Sequence, residues 1–190
     1  MRSLTNYIVE PCDGVLYDNV KKVGESELIL SSSIENHQVT NRKAIVKAIP
    51  VNVKTPVKVG ATIIVHHNVF RKYNDMKGKE KHAAGMIFGD IYMVDPYQVY
   101  MYKNVGDSDW TSIDPFCFVS PIVNDDTFSV SSEKEQYGVM EYPNKYISSL
   151  DILKGDIIGF APDSEYEFNI DGKKYYRVNS RNICLKMSEK

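Results

Sequence analysis

Residues 165–178 read EYEFNI, then Asp171-Gly172, then KKYYRV. Tyr166, Phe168 and Ile170 alternate with Glu165, Glu167 and Asn169, the period of a half-buried strand. Asp-Gly tolerates positive φ at both turn positions, so two alternating runs around it predict a two-residue β-hairpin. The same pattern runs through most of the chain. Strand-like segments fall at residues 7–10, 14–19, 43–49, 62–69, 91–94, 98–103, 116–122 and 156–160. Most prolines sit at the ends of these runs, where a missing N–H costs little. No stretch of ten or more residues carries apolar side chains at i, i+3 and i+4. Only 79–86 and 146–153 read as a helical turn or two. The chain therefore reads as all-β.

Composition narrows the function classes. With 43% hydrophobic and 25% charged residues, the 190-residue chain matches ordinary globular proteins rather than disordered ones. No apolar run approaches the roughly 20 residues that span a bilayer. The opening MRSLTNYIVE lacks a signal-peptide core, giving an expectation of a cytoplasmic protein. The net charge of −2 argues against bulk attraction to nucleic acid or anionic lipid. Cys12, Cys117 and Cys184 are scattered singly, which is neither a disulfide framework nor a zinc pattern. Thirteen tyrosines favour strands and wet interfaces, and so an assembly, most simply a homo-oligomer.

The chain divides at the polar stretch 104–114, NVGDSDWTSID, into expected domains of about residues 1–104 and 113–190. Trp110 within it is expected to pack between the halves. The halves share a pattern. KTPVKVGATIIVHH (54–67) matches LDILKGDIIGF (150–160), and DIYMVDPYQVYMY (90–102) matches KYYRVNSRNICLK (174–186). The opening YIVEPCDGVLYD (7–18) matches FCFVSPIVND (116–125). A tandem of two small barrels accounts for such an internal repeat.

Four landmarks of the first half resemble the GroES-type co-chaperonins. They are EPCDGVLYD (10–18), VKVGATII (57–64, with Ala61 where the family usually has Asp), the closing DIYMVDPYQVYMY, and VGESELILSSSIENHQVTNRKAIVKAI (23–49). The second half keeps Lys154-Gly155-Asp156, the hairpin and the closing strands. The segment HHNVFRKYNDMKGKEKH (66–82) and the Lys-, Asn-, Ile- and Tyr-rich usage look like the divergent co-chaperonin-like proteins of tailed bacteriophages. The resemblance implies two GroES-like β-barrels, a mobile-loop-like segment at 23–42 and an insertion at 68–88 in the first, and a degenerate second barrel. It implies a non-enzymatic ring that closes a chaperonin cavity, with ATP hydrolysed by the partner. Leu28, Ile29 and Leu30 would be the docking anchor. The place would be the cytoplasm of an infected bacterial host.

Read physically, an aliphatic triplet between Glu25, Glu27 and three serines must be buried somewhere. It suits docking into an apolar groove, or packing on a neighbour as an edge strand. Single sites of this kind bind weakly, and a ring compensates through multivalency. Because fold does not fix function, the alternative is a virion structural protein, in the capsid, its decoration or the head–tail region, built on the same barrel. Its partners would be other virion proteins.

Phe70, Arg71 and Tyr73, in the basic insertion, and Trp110 are candidate subunit contacts. The charge of 71–81 suits a solvated loop or an inter-subunit patch better than a nucleic-acid grip. His66 and His67 are adjacent on an expected strand, where neighbours point to opposite faces, so no metal site is assigned. No cofactor is implied either. G-x-S-x-G, P-loop and H-E-x-x-H motifs are missing from the sequence, and no catalytic residue is assigned. Cys117, in the apolar run PFCFV, reads as an inert buried thiol.

Overall fold

The computed structural model describes residues 2–17, 20–23, 26–29, 40–82, 85–123 and 133–187. The chain forms two compact units, Met1–Asp109 and Trp110–Lys190. The first contains strands β1 (Tyr7–Pro11), β2 (Val20–Val23), β3 (Ser26–Ile29), β4 (Lys43–Ala48), β5 (Thr62–Val65), β6 (Lys72–Asn74), β7 (Glu80–His82), β8 (Met86–Phe88), β9 (Ile91–Val94) and β10 (Val99–Lys103). The second contains β11 (Thr111–Ser112), β12 (Phe116–Val123), β13 (Glu133–Tyr142), helix α1 (Lys145–Ser149), β14 (Ile157–Phe160), β15 (Tyr166–Ile170), β16 (Lys173–Asn179) and β17 (Ile183–Lys186). The protein is all-β, and every pairing between these strands within a unit is antiparallel. Among the described residues no helix is long and apolar enough to cross a membrane.

The two units share one strand order. The main sheet of the first runs β8-β9-β1-β4-β5-β10, and that of the second runs β15-β16-β12-β13-β14-β17. In both, the first strand lies between the second and the fifth, and the sixth flanks the third. The agreement extends to single bonds. Gly60 N donates to Val46 O at 2.8 Å and Gly155 N to Met140 O at 2.7 Å. Val46 N donates to Ala61 O at 2.9 Å and Met140 N to Asp156 O at 2.8 Å. His66 N donates to Gln98 O and Ala161 N to Asn182 O. The two glycines hold φ of 86° and 95°, a region that disfavours any side chain, so the Lys-x-Gly and Lys-Gly signatures mark one turn. The last connection in each unit is a 3₁₀ turn capped by its preceding residue. Asp95 Oδ1 accepts from Tyr97 N at 2.9 Å, and Asn179 Oδ1 from Arg181 N at 3.0 Å.

One substitution within the repeat is compensated. Asp156 Oδ2 accepts from Leu153 N at 2.7 Å and ties down the turn before β14. Ala61, its counterpart, cannot. The matching amide, Lys58 N, instead donates to Asn104 Oδ1 at 2.9 Å. The orphan donor is satisfied by a side chain from the other end of the unit.

Each sheet has a buried face. In the first unit Val9, Ala44, Val46, Ala61, Ile63, Val65 and Val94 are fully buried. In the second, Cys117, Val119, Met140, Ile147, Ile158, Phe160 and Val178 form one cluster. Strand β12 is apolar on both faces, because Phe118 packs its other side edge-on against Phe168, with ring centroids 5.5 Å apart. Asn144 knits this unit together. Its Oδ1 caps α1 by accepting from Ile147 N at 2.8 Å, and its Nδ2 donates to Phe116 O and Ser180 Oγ.

Among the described residues the ladders form antiparallel sheets without a closed barrel: within each unit the order runs from β8 to β10 in the first and from β15 to β17 in the second. Several local expectations are corrected. Residues 14–17, the described part of the strand expected over 14–19, form no strand. A 3₁₀ turn at Cys12–Gly14, with Asp13 at φ 59°, breaks the extended run, and Tyr17 pairs with Thr40 through an isolated bridge. The strand expected over 62–69 stops at Val65, where His66 caps a 3₁₀ turn, Nδ1 accepting from Asn68 N at 3.0 Å. Of residues 79–86, the described ones (79–82, 85 and 86) are not helical. They supply β7 and the start of β8, and Asp75 reverses the chain before them, accepting from the backbone N–H of both Lys77 and Lys79. The helical turn expected in 146–153 is present as α1.

Candidate functional site

The excursion that carries the aliphatic triplet leaves the first sheet between β1 and β4. Its base is fastened. Tyr17 bridges Thr40, Asn41 N donates to Leu16 O at 2.9 Å, and Asn41 Nδ2 donates to Val15 O at 2.6 Å and Cys12 O at 3.2 Å. The residues that flank the segment 18–39 are thereby held side by side. Within it β2 and β3 form a separate two-stranded sheet, with Val20 opposite Ile29 and Lys21 opposite Leu28. Leu28 and Ile29 thus belong to β3. Leu30 lies outside the described residues. In the second unit the same topological position holds residues 124–132, entered and left at the Val123–Glu133 pair.

A second excursion, between β5 and β8, is the hairpin β6–β7. Tyr73 faces Lys81 across it, and Lys72 Nζ meets Glu80 at 2.9 Å. The hairpin is fastened to the base of the first excursion, since Lys72 N donates to the Tyr17 hydroxyl at 2.7 Å. Phe70, just before it, is buried with its ring edge-on to Tyr92 at 4.9 Å. Arg71 is half-buried, and the Tyr73 side chain is exposed. Trp110 belongs to the second unit, where Nε1 donates to Asp171 Oδ2 at 2.8 Å, in the Asp171-Gly172 turn.

The histidine pair differs from the expectation of opposite faces. Because β5 ends before His66, the two rings stack at 4.1 Å. Among the described residues no group of three or more His, Cys, Asp or Glu is placed to hold a metal ion. Cys117 is fully buried and its thiol donates to Val178 O, with burial pushing its pKa up to about 12. A thiol so disfavoured as thiolate is a poor nucleophile.

The most concentrated electrostatics lie at the start of β13. Lys174 Nζ contacts Glu133 at 3.0 Å and Glu167 at 3.2 Å, and the Tyr176 hydroxyl contacts Glu133 Oε2 at 2.5 Å. Burial pushes the Glu133 carboxyl up, but the Tyr176 hydroxyl and Lys174 ammonium outweigh it and hold the pKa below the usual carboxylate range. Asp156 is also depressed, first by Lys186 and then by the Leu153 amide. A carboxylate with a depressed folded pKa stabilises the fold at neutral pH, and that contribution is lost as pH falls through the folded value. Stability of the second unit is expected to decline between neutral pH and the acid side of the carboxylate range. Glu133→Gln should flatten that decline and lower stability at pH 7. Denaturant midpoints at several pH values, read by the fluorescence of the single Trp110, check this. Parallel curves for the two chains would refute it.

No protein-family model matches this chain, and no curated protein matches it.

Proposed function

We propose that the chain is a non-enzymatic, ring-forming co-chaperonin-like protein of a tailed bacteriophage, built from two GroES-like barrels, that docks on a chaperonin through Leu28, Ile29 and Leu30. One observation carries the reading. An excursion with a fastened base, leaving between the first and second sheet strands, bears Leu28 and Ile29 in a hairpin outside the six-stranded order. A strand carrying aliphatic side chains that is not hydrogen-bonded into the main sheet suits capture in an apolar groove with backbone pairing. The shared strand order of the units supports a tandem architecture. The second unit's excursion, residues 124–132 (NDDTFSVSS), has no aliphatic triplet, so each chain offers one anchor. Many weak anchors on a ring would act together.

The test is co-sedimentation of the purified chain with a bacterial chaperonin, with and without ATP. Nucleotide-dependent retention supports the reading. Failure to be retained, together with stoichiometric presence in purified virus particles, would establish the virion structural role instead.

A further inference from the structure

The first unit holds a cleft of about 700 Å³ whose lining includes Arg71, Asn6, Asn68, Gln98, Val69 and Met93. We propose that this cleft binds a carboxylate carried on an apolar body, with the Arg71 guanidinium as the anchor. Arg71 Nε is buried and has no hydrogen-bond partner. Among the described residues no carboxylate forms an ion pair with this side chain. A desolvated guanidinium donor without a partner is costly, and native structures keep few such groups. A planar fork of donors matches a carboxylate bidentately.

The surroundings fit the rest of the ligand. Gln98 Oε1 already accepts from Asp95 N at 3.2 Å, which leaves its NH₂ to donate into the cleft. Asn6 and Asn68 add amide groups, while Val69 and Met93 supply apolar wall. Asp95 also lines the cleft, with Oδ1 engaged by Tyr97 N. A negative charge in the lining repels a dianion such as phosphate more strongly than a monoanion. The position of Arg71 is set by its neighbours. Phe70 is buried against Tyr92 on one side, and Lys72 N is held by Tyr17 on the other. A cleft of this size that combines apolar wall with converging polar groups has the form of a small-ligand site. The inference stands apart from the chaperonin reading, since none of these residues lies in 18–39.

The probe is 3-phenylpropionate, titrated into the full ¹⁵N-labelled chain, with the Arg71 Nε–Hε resonance as readout. A saturable shift is expected. 3-Phenylpropionamide and inorganic phosphate should each bind at least tenfold more weakly. Arg71→Gln should abolish binding while its backbone amide spectrum stays native elsewhere. Arg71→Lys, which keeps the charge and loses the fork, should weaken binding severalfold. A tripeptide ending in a free phenylalanine carboxylate, set against its amide, distinguishes a peptide terminus from a free acid as the source. No saturable shift with either carboxylate overturns the proposal. So does a shift that the amide reproduces, or one that survives in Arg71→Gln.

Discussion

Changing Ile29 to serine is expected to abolish retention of the chain on a chaperonin and to leave its unfolding transitions in place. Burying an isoleucine side chain is worth about 1.5–3 kcal/mol, so each docking site should weaken roughly tenfold to a hundredfold. In a ring the per-site losses multiply, because each bound anchor raises the effective concentration of the next. The fold should not register the change. Among the described residues strand β3 pairs with β2, in a sheet separate from the six-stranded order, and the excursion is fastened at Tyr17, Thr40 and Asn41. Co-sedimentation with ATP and a thermal melt on the same preparation decide it. A melting temperature lowered by several degrees, or unchanged retention, would show that Ile29 is a packing residue and that the docking reading is wrong.

How much of this was legible in the residues depends on the strength of local signals. The Asp171-Gly172 hairpin was, because both turn residues take positive φ, 53° and 78°, and the flanking strands alternate cleanly. So were the paired glycine turns, since Gly60 and Gly155 close the Lys-x-Gly and Lys-Gly signatures that recur at the same place in both halves. Strand β13 was not. Its ten residues, EKEQYGVMEY, are mostly polar until Gly138, and Gln136 at φ 62° interrupts the extended run, so neither alternation nor apolar content marks it. Tertiary pairing with β12 and β14 makes it a strand. The short strands β6 and β7 hide for a related reason. They are short and carry no apolar alternation, and the Asp75 side chain that turns the chain between them looks like an ordinary loop aspartate.

The candidate site divides the same way. The aliphatic triplet stands out in sequence because it is apolar among polar residues. The fastening of its excursion does not, since Asn41 and Tyr17 act through bonds to residues far along the chain, and only the fold brings Lys72 to the Tyr17 hydroxyl. Arg71 was singled out for its place in a basic insertion. Its unpartnered Nε within a cleft is a property of three dimensions alone.

The second large effect concerns the second unit. Phe118→Ala should lower its stability by about 3–5 kcal/mol, the usual cost of emptying a fully buried phenylalanine site. Phe118 is 0% exposed and meets Phe168 edge-on, so alanine removes both the burial and the ring contact. The cavity cannot relax easily. Phe118 sits in β12, the strand hydrogen-bonded on both sides, to β13 and β16. Its neighbours Cys117 and Val119 are locked in the core on the opposite face. A domain of ordinary stability, about 5–15 kcal/mol, would lose a large share of what it has. Trp110 makes the measurement specific, because it is the only tryptophan and its indole is bonded to Asp171 within the same unit. Denaturant unfolding followed by its fluorescence should show a midpoint moved well down. Phe118→Leu, which keeps most of the volume, should cost less than half as much. A shift below about 1.5 kcal/mol for the alanine chain, or equal shifts for the two, would mean that β12 does not carry two packed faces and that the second unit is held by something other than this core.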